Sequence, residues 1–399
     1  MFKNFDIIFY PPSYPISSYK KGVGGVEVNE RHLEALAQYD LVADNVRKGR
    51  SGWICETSQG TMLLQEYRGT MKRLEFETQV LGQVRDSGLL QVDDYIRTTQ
   101  GELISLSEDG TRHTLKHWYT GRECNIKDFK EILQAVTKIA LLHQVLRKIP
   151  TQEEWNLGSI VVETAGQEME RHTQELKRAR NFMKSKRRKT DFERCALSNF
   201  SQFFEQAQEA AKGMERLSKN YEVLPPFLCH GDLDQHHIQI LSEAHELGGS
   251  RMAVCSYGED RQTERNESEK GETLSEKNRL QSDRTGTQNS GAAVIEYHKM
   301  HLGDQMTDLY HFMRKIMEKH GWDQELGIDM LTAYDHVTPL TDRDRESLYY
   351  LFLYPEKYWK QINFYMNSNK VWIPARNLDK LKSLEEQTEQ RNRFLSVIK

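Results

Sequence analysis

The sequence predicts an α+β protein in which a small, mostly antiparallel sheet precedes a larger helical region. Short alternating segments separated by turns fill residues 48–119, whereas the residues after Gly121 show mainly helical periodicity. We therefore expect an N-terminal arm and helix at residues 1–44, a small β-rich lobe at 45–119 and a large helical lobe at 120–399.

The small lobe begins with a hairpin signal, because two alternating segments flank the turn Ser58-Gln59-Gly60. Apolar residues at helical spacing follow the hairpin and predict one helix inserted into the sheet. The expected helices are Asn29–Tyr39 and Met71–Val84, and the expected strands are Trp53–Thr57, Thr61–Tyr67, Gln91–Arg97, Leu103–Leu106 and Thr111–Trp118.

The large lobe is predicted to contain amphipathic helices. They are expected at Lys127–Leu146, at Glu163–Lys219 as two long charged helices, and at Thr307–Lys319, Gln324–Tyr334, Asp342–Asn367 and Leu378–Ile398. The basic run Lys184–Lys189 could contact a polyanion or a membrane, but a net charge of −4 favours a solvated turn. The aromatic surface of the Asp342–Asn367 helix indicates core packing or an interface.

A polar insertion interrupts the large lobe. Ser256–Ser290 contains almost no apolar residues and cannot bury enough surface to offset the entropy of ordering. We therefore predict a disordered insertion at residues 244–291, within the loop of a β-hairpin. The return strand of that hairpin is predicted at Ala292–Tyr297, with Met252–Tyr257 as the alternative.

The composition excludes several classes of protein. A net charge of −4 argues against a dedicated nucleic-acid binder, which usually carries a basic excess. No run approaches the roughly 18 apolar residues that a membrane helix needs, and the N-terminus lacks the apolar region of a signal peptide. Five cysteines without CxxC spacing indicate reduced thiols in a cytosolic compartment, rather than a disulfide framework or a zinc site.

The segment most suggestive of chemistry is Cys229-His230-Gly231-Asp232, which joins an apolar approach to a second alternating segment. A carboxylate on a loop of this kind can orient the proton of a substrate hydroxyl during phosphoryl transfer. The competing interpretation is an ordinary Gly-Asp turn whose histidines bond to backbone groups.

The order of these elements resembles the aminoglycoside/choline phosphotransferase branch of the kinase-like fold. The matching strings are Ala140-Leu141-Leu142-His143, Cys229-His230-Gly231-Asp232, Val294-Ile295-Glu296-Tyr297 and Gly303–Leu309. Without the insertion, Asp232 and Glu296 would stand about 18 residues apart, which suits one hairpin. The spacing from Ala292–Tyr297 to Asp308-Leu309 also suits this fold, so we favour this strand over Met252–Tyr257 as the return strand.

A closer resemblance extends over nearly the whole chain. The sequence is similar to the CotS family of spore coat proteins, in particular its clostridial members. The strings that carry it are Gly60–Tyr67, Leu115–Cys124, Asp308–Lys319, Tyr354–Trp359, Gln361–Tyr365 and Trp372-Ile373-Pro374. The resemblance implies a protein made in the mother-cell cytoplasm and deposited in the spore coat. Its implied partners are other coat proteins.

The kinase resemblance also implies roles for individual residues. Asp232 stands at the catalytic base, with His230 beside it, and Glu77 (or Glu75) matches the helix carboxylate that pairs with a strand lysine. Three positions depart from the pattern. Gln65 replaces the strand lysine, His237 replaces a metal-binding Asn, and Glu296 replaces the Asp that holds Mg²⁺.

These departures predict a pseudokinase with no certain cofactor. The alternative is an active phosphotransferase that uses Mg-ATP, with Lys116, Lys72 or Arg68 supplying the missing charge and Glu296 holding one metal. A transition-metal cluster of His230, His236, His237 and His298 is a further alternative. A module that binds a nucleotide or a sugar without chemistry is another.

Overall fold

The computed structural model describes residues 31–152, 155, 160–220, 226–241, 291–367 and 372–399. Within these ranges an antiparallel sheet lobe precedes a larger helical lobe, which confirms the predicted α+β class. The predicted arm at residues 1–30, the insertion from residue 244 to 290 and the alternative strand Met252–Tyr257 lie outside the described residues.

The small lobe is a six-stranded sheet in the order β1-β2-β3-β6-β4, with β5 paired to β6. Its elements are α1 (Arg31–Leu36), β1 (Ala43–Lys48), β2 (Trp53–Thr57), β3 (Gly60–Glu66), α2 (Met71–Asp86), β4 (Tyr95–Ile96), β5 (Ser105–Leu106) and β6 (Arg112–His117). One face of this sheet packs Cys55, Met62, Leu64 and Leu115 against Leu36 of α1. Because alternate residues of a strand point to the same face, these apolar side chains together hold α1 against the sheet.

Three small-lobe strands differ from the sequence prediction, and one of them, predicted at Leu103–Leu106, is reduced to Ser105–Leu106. β1 was not predicted, because it is a polar edge strand whose side chains are largely exposed and which pairs with β2 through the backbone. The strand predicted at Gln91–Arg97 is reduced to Tyr95–Ile96. Asp93 and Asp94, which precede it, point inward and make ion pairs with Lys116 and Arg85 instead of continuing the sheet.

The large lobe surrounds the main hydrophobic core, which also includes α2. Its helices are α3 (Phe129–Leu146), α4 (Ala165–Ser185), α5 (Asp191–Ser198), α6 (Phe200–Asn220), α7 (Met306–Lys319), α8 (Gln324–Val337), α9 (Asp342–Leu353), α10 (Glu356–Asn367), α11 (Pro374–Glu386) and α12 (Thr388–Ile398). Two short sheets complete it. They are built from β7 (Gly121–Glu123), β8 (Phe227–Cys229), β9 (Ile238–Leu241), β10 (Ala292–Val294) and β11 (His301–Gly303).

The predicted return strand is correct, since Ala292–Val294 pairs antiparallel with β9. Three predicted helical segments are divided further than expected. The segment Glu163–Lys219 contains a third helix, α5, which begins with a capping box between Thr190 and Glu193. The segment Asp342–Asn367 breaks at Pro355, because proline cannot continue the preceding helix. The C-terminal segment breaks at Gln387.

The aromatic side chains of α9 and α10 belong mostly to the core. Tyr350, Phe352 and Tyr358 are buried, so the broad apolar surface expected from the sequence is largely internal. Among the described helices, none combines the length and the apolar character that crossing a bilayer requires.

Candidate active site

The loop between β8 and β9 carries Asp232 and lies where the two lobes face each other. Gly231 has a φ of +87°, and a Cβ on this residue would lie 2.2 Å from the backbone oxygen of Lys299. Only glycine fits this conformation without strain or collision. The glycine of the His-Gly-Asp string is thus a requirement of the loop's path.

Asp308, at the start of α7, holds the backbone of this loop. Its two carboxylate oxygens accept hydrogen bonds from the N–H groups of His230 (2.7 Å) and Gly231 (2.9 Å). Burial alone would raise the pKa of Asp308, but its hydrogen bonds and nearby His143 lower that pKa to about 2. The Asp308 carboxylate is therefore charged and fixes the loop through its backbone N–H groups.

His230 is completely buried beneath the loop. Its Nε2 lies 3.0 Å from the backbone oxygen of Ile295, and its Nδ1 accepts a hydrogen bond from the N–H of Asp232 at 3.3 Å. Burial lowers the pKa of His230 to about 4, so the ring is neutral. His230 was predicted beside the catalytic base, and the structure gives it contacts that support the loop from inside.

Asp232 itself reaches the cleft, with its side chain about one-third exposed (34%). Lys299 donates a hydrogen bond to its Oδ2 at 2.7 Å. Burial raises the pKa of Asp232, but the hydrogen bond and charge of Lys299 outweigh this, so the pKa lies below its usual value. The carboxylate is therefore ionised and already has a cation beside it.

His237 stands among three carboxylates. Its Nδ1 lies 2.9 Å from Oδ1 of Asp234, while its Nε2 lies 3.8 Å from Oε2 of Glu296 and 4.0 Å from Oδ2 of Asp232. Because the Asp234 carboxylate can only accept, Nδ1 carries the hydrogen and Nε2 faces the other two carboxylates. The sequence prediction that His237 and Glu296 share one site is consistent with these distances.

Glu296 is held in a backbone conformation that is rare for a residue with a side chain, with a φ of +67°. Its N–H donates to both carboxylate oxygens of Asp93 at 3.1 Å. The hydroxyl of Ser51 donates to Oε1 of Glu296. Contacts from the small lobe thus fix both the backbone and the carboxylate of Glu296.

The small-lobe side of the cleft encloses a volume of about 330 Å³, lined by residues that include Gln65, Thr114 and Lys116. Gln65 and Thr114 are cross-strand neighbours, so Lys116 projects from β6 on the same face as Gln65 of β3. Lys116 is buried, and its Nζ donates to Asp93 at 3.1 Å and lies over the ring of Tyr95. The cation absent from β3 is therefore present on the neighbouring strand, in an ion pair.

Glu77 faces the same cleft from α2, whereas Glu75 is exposed. The carboxylate of Glu77 accepts hydrogen bonds from Arg73, one turn earlier in the helix, and from the hydroxyl of Tyr95. Sequence reasoning assigned Glu77 to a strand lysine and found no cation for it. The structure supplies Arg73 as that cation.

The turn between β1 and β2 closes over the cleft. The N–H of Gly49 bonds to the oxygen of Gly52 at 2.7 Å, and a Cβ on Gly52 would collide with the backbone oxygen of Leu64. Arg50 of this turn donates to Glu123 of the large lobe at 2.7 Å. Sequence reasoning missed this turn, although two glycines three residues apart before a strand are the signal that could have identified it.

The predicted histidine cluster is only partly assembled. Both ring nitrogens of His230 are engaged within the loop, and those of His236 contact Glu123 and Gln235. His298 remains near the site, with its Nε2 4.0 Å from Oδ2 of Asp232. Among the residues that the structure describes, no three His, Cys, Asp or Glu side chains are already arranged around a metal-binding point.

Comparison with known proteins identifies the fold. No protein-family model and no curated protein matches the sequence. Among solved structures, the chain is similar to an aminoglycoside phosphotransferase from Alicyclobacillus acidocaldarius, with 15% identity and a TM-score of 0.70 over 91% of this chain and 94% of that one.

Two further structures contain nucleotides. Spectinomycin phosphotransferase APH(9)-Ia in complex with ADP and spectinomycin has 12% identity and a TM-score of 0.52, over 90% of this chain and 96% of that one. Amicoumacin kinase hAmiN in complex with AMP-PNP, Ca²⁺ and amicoumacin has 11% identity and a TM-score of 0.51, over 92% and 94%. These likenesses establish an aminoglycoside phosphotransferase-like, kinase-like fold.

Proposed function

We propose that this protein is a kinase-like pseudoenzyme of the endospore coat, which acts in coat structure or assembly and does not transfer phosphate from Mg-ATP. The observation that carries this proposal is that the two inward-facing cations of the described cleft are already paired with buried carboxylates. These pairs are Arg73 with Glu77 and Lys116 with Asp93, whereas Arg68 of the same cleft pairs with Glu66 at the exposed surface.

Phosphoryl transfer depends on positive charge that is available to nucleotide phosphates. Lys116 could provide such charge only by leaving Asp93, whose side chain has no exposed surface. Separating a buried ion pair in this way costs about 3–5 kcal/mol. At the lysine position of β3, Gln65 carries no charge, and its amide donates to the backbone oxygen of Ser51.

The side chains present are also poor ligands for Mg²⁺. It prefers oxygen ligands in octahedral geometry, whereas His237 directs an imidazole nitrogen at the space between Asp232 and Glu296. The donor set therefore does not fit Mg²⁺. The role in the coat rests separately on the sequence strings that resemble those of the CotS family.

Calorimetric titration of the full-length protein with Mg-ATP tests the proposal, together with a phosphate-transfer assay. We expect neither saturable heat nor transfer, and no difference between the wild type and Asp232→Asn. Phosphate transfer that Asp232→Asn abolishes would overturn the proposal. The coat assignment is tested by fractionation of spores from the source organism, where the protein should co-purify with the insoluble coat and not with the spore core.

One observation favours an active phosphotransferase as the second candidate. The Asp232 carboxylate is ionised, partly exposed and held on a rigid loop next to Lys299. An ionised carboxylate fixed in this way can orient a substrate hydroxyl and accept its proton during phosphoryl transfer. The same Asp232→Asn comparison decides between the two functions.

A further inference from the structure

We propose that the turn between α4 and α5, together with the exposed aromatic and apolar side chains beside it, docks on the surface of an anionic phospholipid membrane. The feature that carries this inference is the basic run of the turn, whose residues are not among those that line the cleft. The inference goes beyond the proposed function, because such docking requires neither an active cleft nor a contact with another protein.

The basic segment is longer than the turn itself. Residues 177–190 contain eight lysines and arginines and no aspartate or glutamate, in a chain whose net charge is −4. They form the last turns of α4, which ends at Ser185, and the link to α5. The cations of this segment that are exposed, and that have no carboxylate partner in the described part of the chain, are Lys177, Arg178, Lys184, Arg187 and Arg188.

Internal contacts hold the turn in one conformation. Lys186 donates to the hydroxyl of Tyr365 and makes an ion pair with the buried Glu193, both at 2.7 Å. The ammonium group of Lys189 donates to the backbone oxygen of Lys186 at 2.7 Å. These bonds fix the ends of the turn and leave the two arginines between them in solvent. Because the turn is already ordered, it loses little conformational freedom when it binds a surface.

Aromatic and apolar side chains lie next to these cations. Phe182 is 46% exposed, and the ammonium group of Lys186 lies 4.6 Å from its ring centroid. On the other side, the same ammonium group lies over the ring of Tyr365, which contacts Trp372. Ile373, the next residue, is 47% exposed. We use the term basic-aromatic face for the exposed cations named above together with Phe182, Tyr365, Trp372 and Ile373.

An anionic membrane fits both parts of the basic-aromatic face. Its headgroups present a negative surface potential that attracts clustered lysines and arginines. The boundary between headgroups and acyl chains accepts aromatic and aliphatic side chains. Phe182 and Ile373 carry no hydrogen-bonding atom in their side chains, so contact with acyl chains suits them better than contact with a polar partner.

A single-stranded nucleic acid fits this face less well. Stacking of bases requires aromatic rings with free faces. Lys186 already covers one face of Phe182, and Tyr365 packs against Trp372. The negative net charge of the chain also differs from the basic excess of proteins that bind nucleic acid.

Co-sedimentation of the full-length protein with vesicles tests the charged part of the face. Vesicles of one part phosphatidylglycerol to two parts phosphatidylcholine should bind the protein, and vesicles of phosphatidylcholine alone should not. Added salt should weaken the binding, because it screens the headgroup charge. Arg187→Gln/Arg188→Gln should lower the partition coefficient at least about 10-fold, since each cation near an anionic surface contributes roughly fivefold. The matched control is Lys127→Gln/Lys130→Gln, which removes the same charge from exposed positions around the start of α3 and should leave binding nearly unchanged.

Phe182→Ala tests the apolar part of the face. It should weaken binding to the anionic vesicles roughly fivefold, because about half of a phenylalanine side chain would leave water on docking. The loss should persist in high salt, unlike the contribution of the arginines. Phe129→Ala is the matched control, because Phe129 is similarly exposed (54%) but lies at the start of α3.

Several results would overturn the proposal. They are the absence of binding, equal binding to both kinds of vesicle, or a loss in Arg187→Gln/Arg188→Gln no larger than in its matched control. Tighter binding of a single-stranded oligonucleotide or of polyglutamate would assign the face to another polyanion, and displacement from vesicles by inorganic phosphate would indicate a site for the free anion. If circular dichroism melting shows that a charge variant fails to fold, the comparison of Phe182→Ala with Phe129→Ala decides.

Discussion

The substitution Lys116→Met leaves the carboxylate of Asp93 buried without its cation. Both side chains are almost inaccessible, at 4% for Lys116 and 0% for Asp93. Removing one partner of such a pair costs about 3–5 kcal/mol, because the remaining charge has lost its compensation. With a urea m value of about 3 kcal/mol/M, the unfolding midpoint should fall by about 1 to 1.7 M.

The pH dependence of that loss has a definite sign. Burial already raises the pKa of Asp93, ahead of the opposing effect of Lys116. Without Lys116 the pKa in the folded state rises further, so the folded form takes up a proton that the unfolded chain releases. The destabilisation by Lys116→Met should therefore be smallest at low pH and should grow as the pH rises through the folded-state pKa of Asp93.

Urea unfolding followed by circular dichroism at pH 5 and pH 8 measures both effects. The double variant Lys116→Met/Asp93→Asn, which removes both charges, should recover at least half of the lost free energy of unfolding. Arg393→Met is the control, because it breaks an exposed pair with Glu389 and should leave the midpoint unchanged. A loss below about 1 kcal/mol in Lys116→Met, or a double variant no more stable than the single one, would refute the reasoning.

Three other predictions follow from the site. Asp308→Asn should destabilise the fold at pH 7 and should weaken the pH dependence of the free energy of unfolding between about pH 4 and pH 2. The reason is that the pKa of Asp308 near 2 makes the stabilisation by its carboxylate disappear as the pH falls. Circular dichroism as a function of pH measures this, and an unchanged profile contradicts it. Gly231→Ala should cost at least about 1–2 kcal/mol in urea unfolding, because of its φ of +87° and the collision of a Cβ with nearby backbone; a neutral result would show that the loop adapts. Gln65→Lys combined with His237→Asn and Glu296→Asp should create Mg-ATP binding that calorimetry detects, and a silent triple variant would mean that cleft closure, not the donor set, prevents binding.

The sequence by itself determined the two-lobed order and the loop that carries the candidate chemistry. Alternation in Trp53–Thr57 and Thr61–Tyr67 identified the central hairpin, because a period of two marks a strand with one buried face. The helical stripe from Phe129 to Leu146 identified α3 for the same kind of reason. Gly231 and Asp232 were recognisable because a motif of adjacent residues can be identified without knowledge of tertiary contacts.

The tertiary structure decided which charges meet. Ser51 reaches Glu296 across 245 positions of sequence, and Lys299 reaches Asp232 across 67. The sequence did not identify Asp93 as the partner of Lys116, because a buried aspartate cannot be distinguished in the sequence from an aspartate in an exposed loop. Local sequence patterns report the periodicity of burial, whereas the partner of a charged residue depends on how separate elements pack together. In this protein that packing places buried carboxylates beside the inward-facing cations of the cleft.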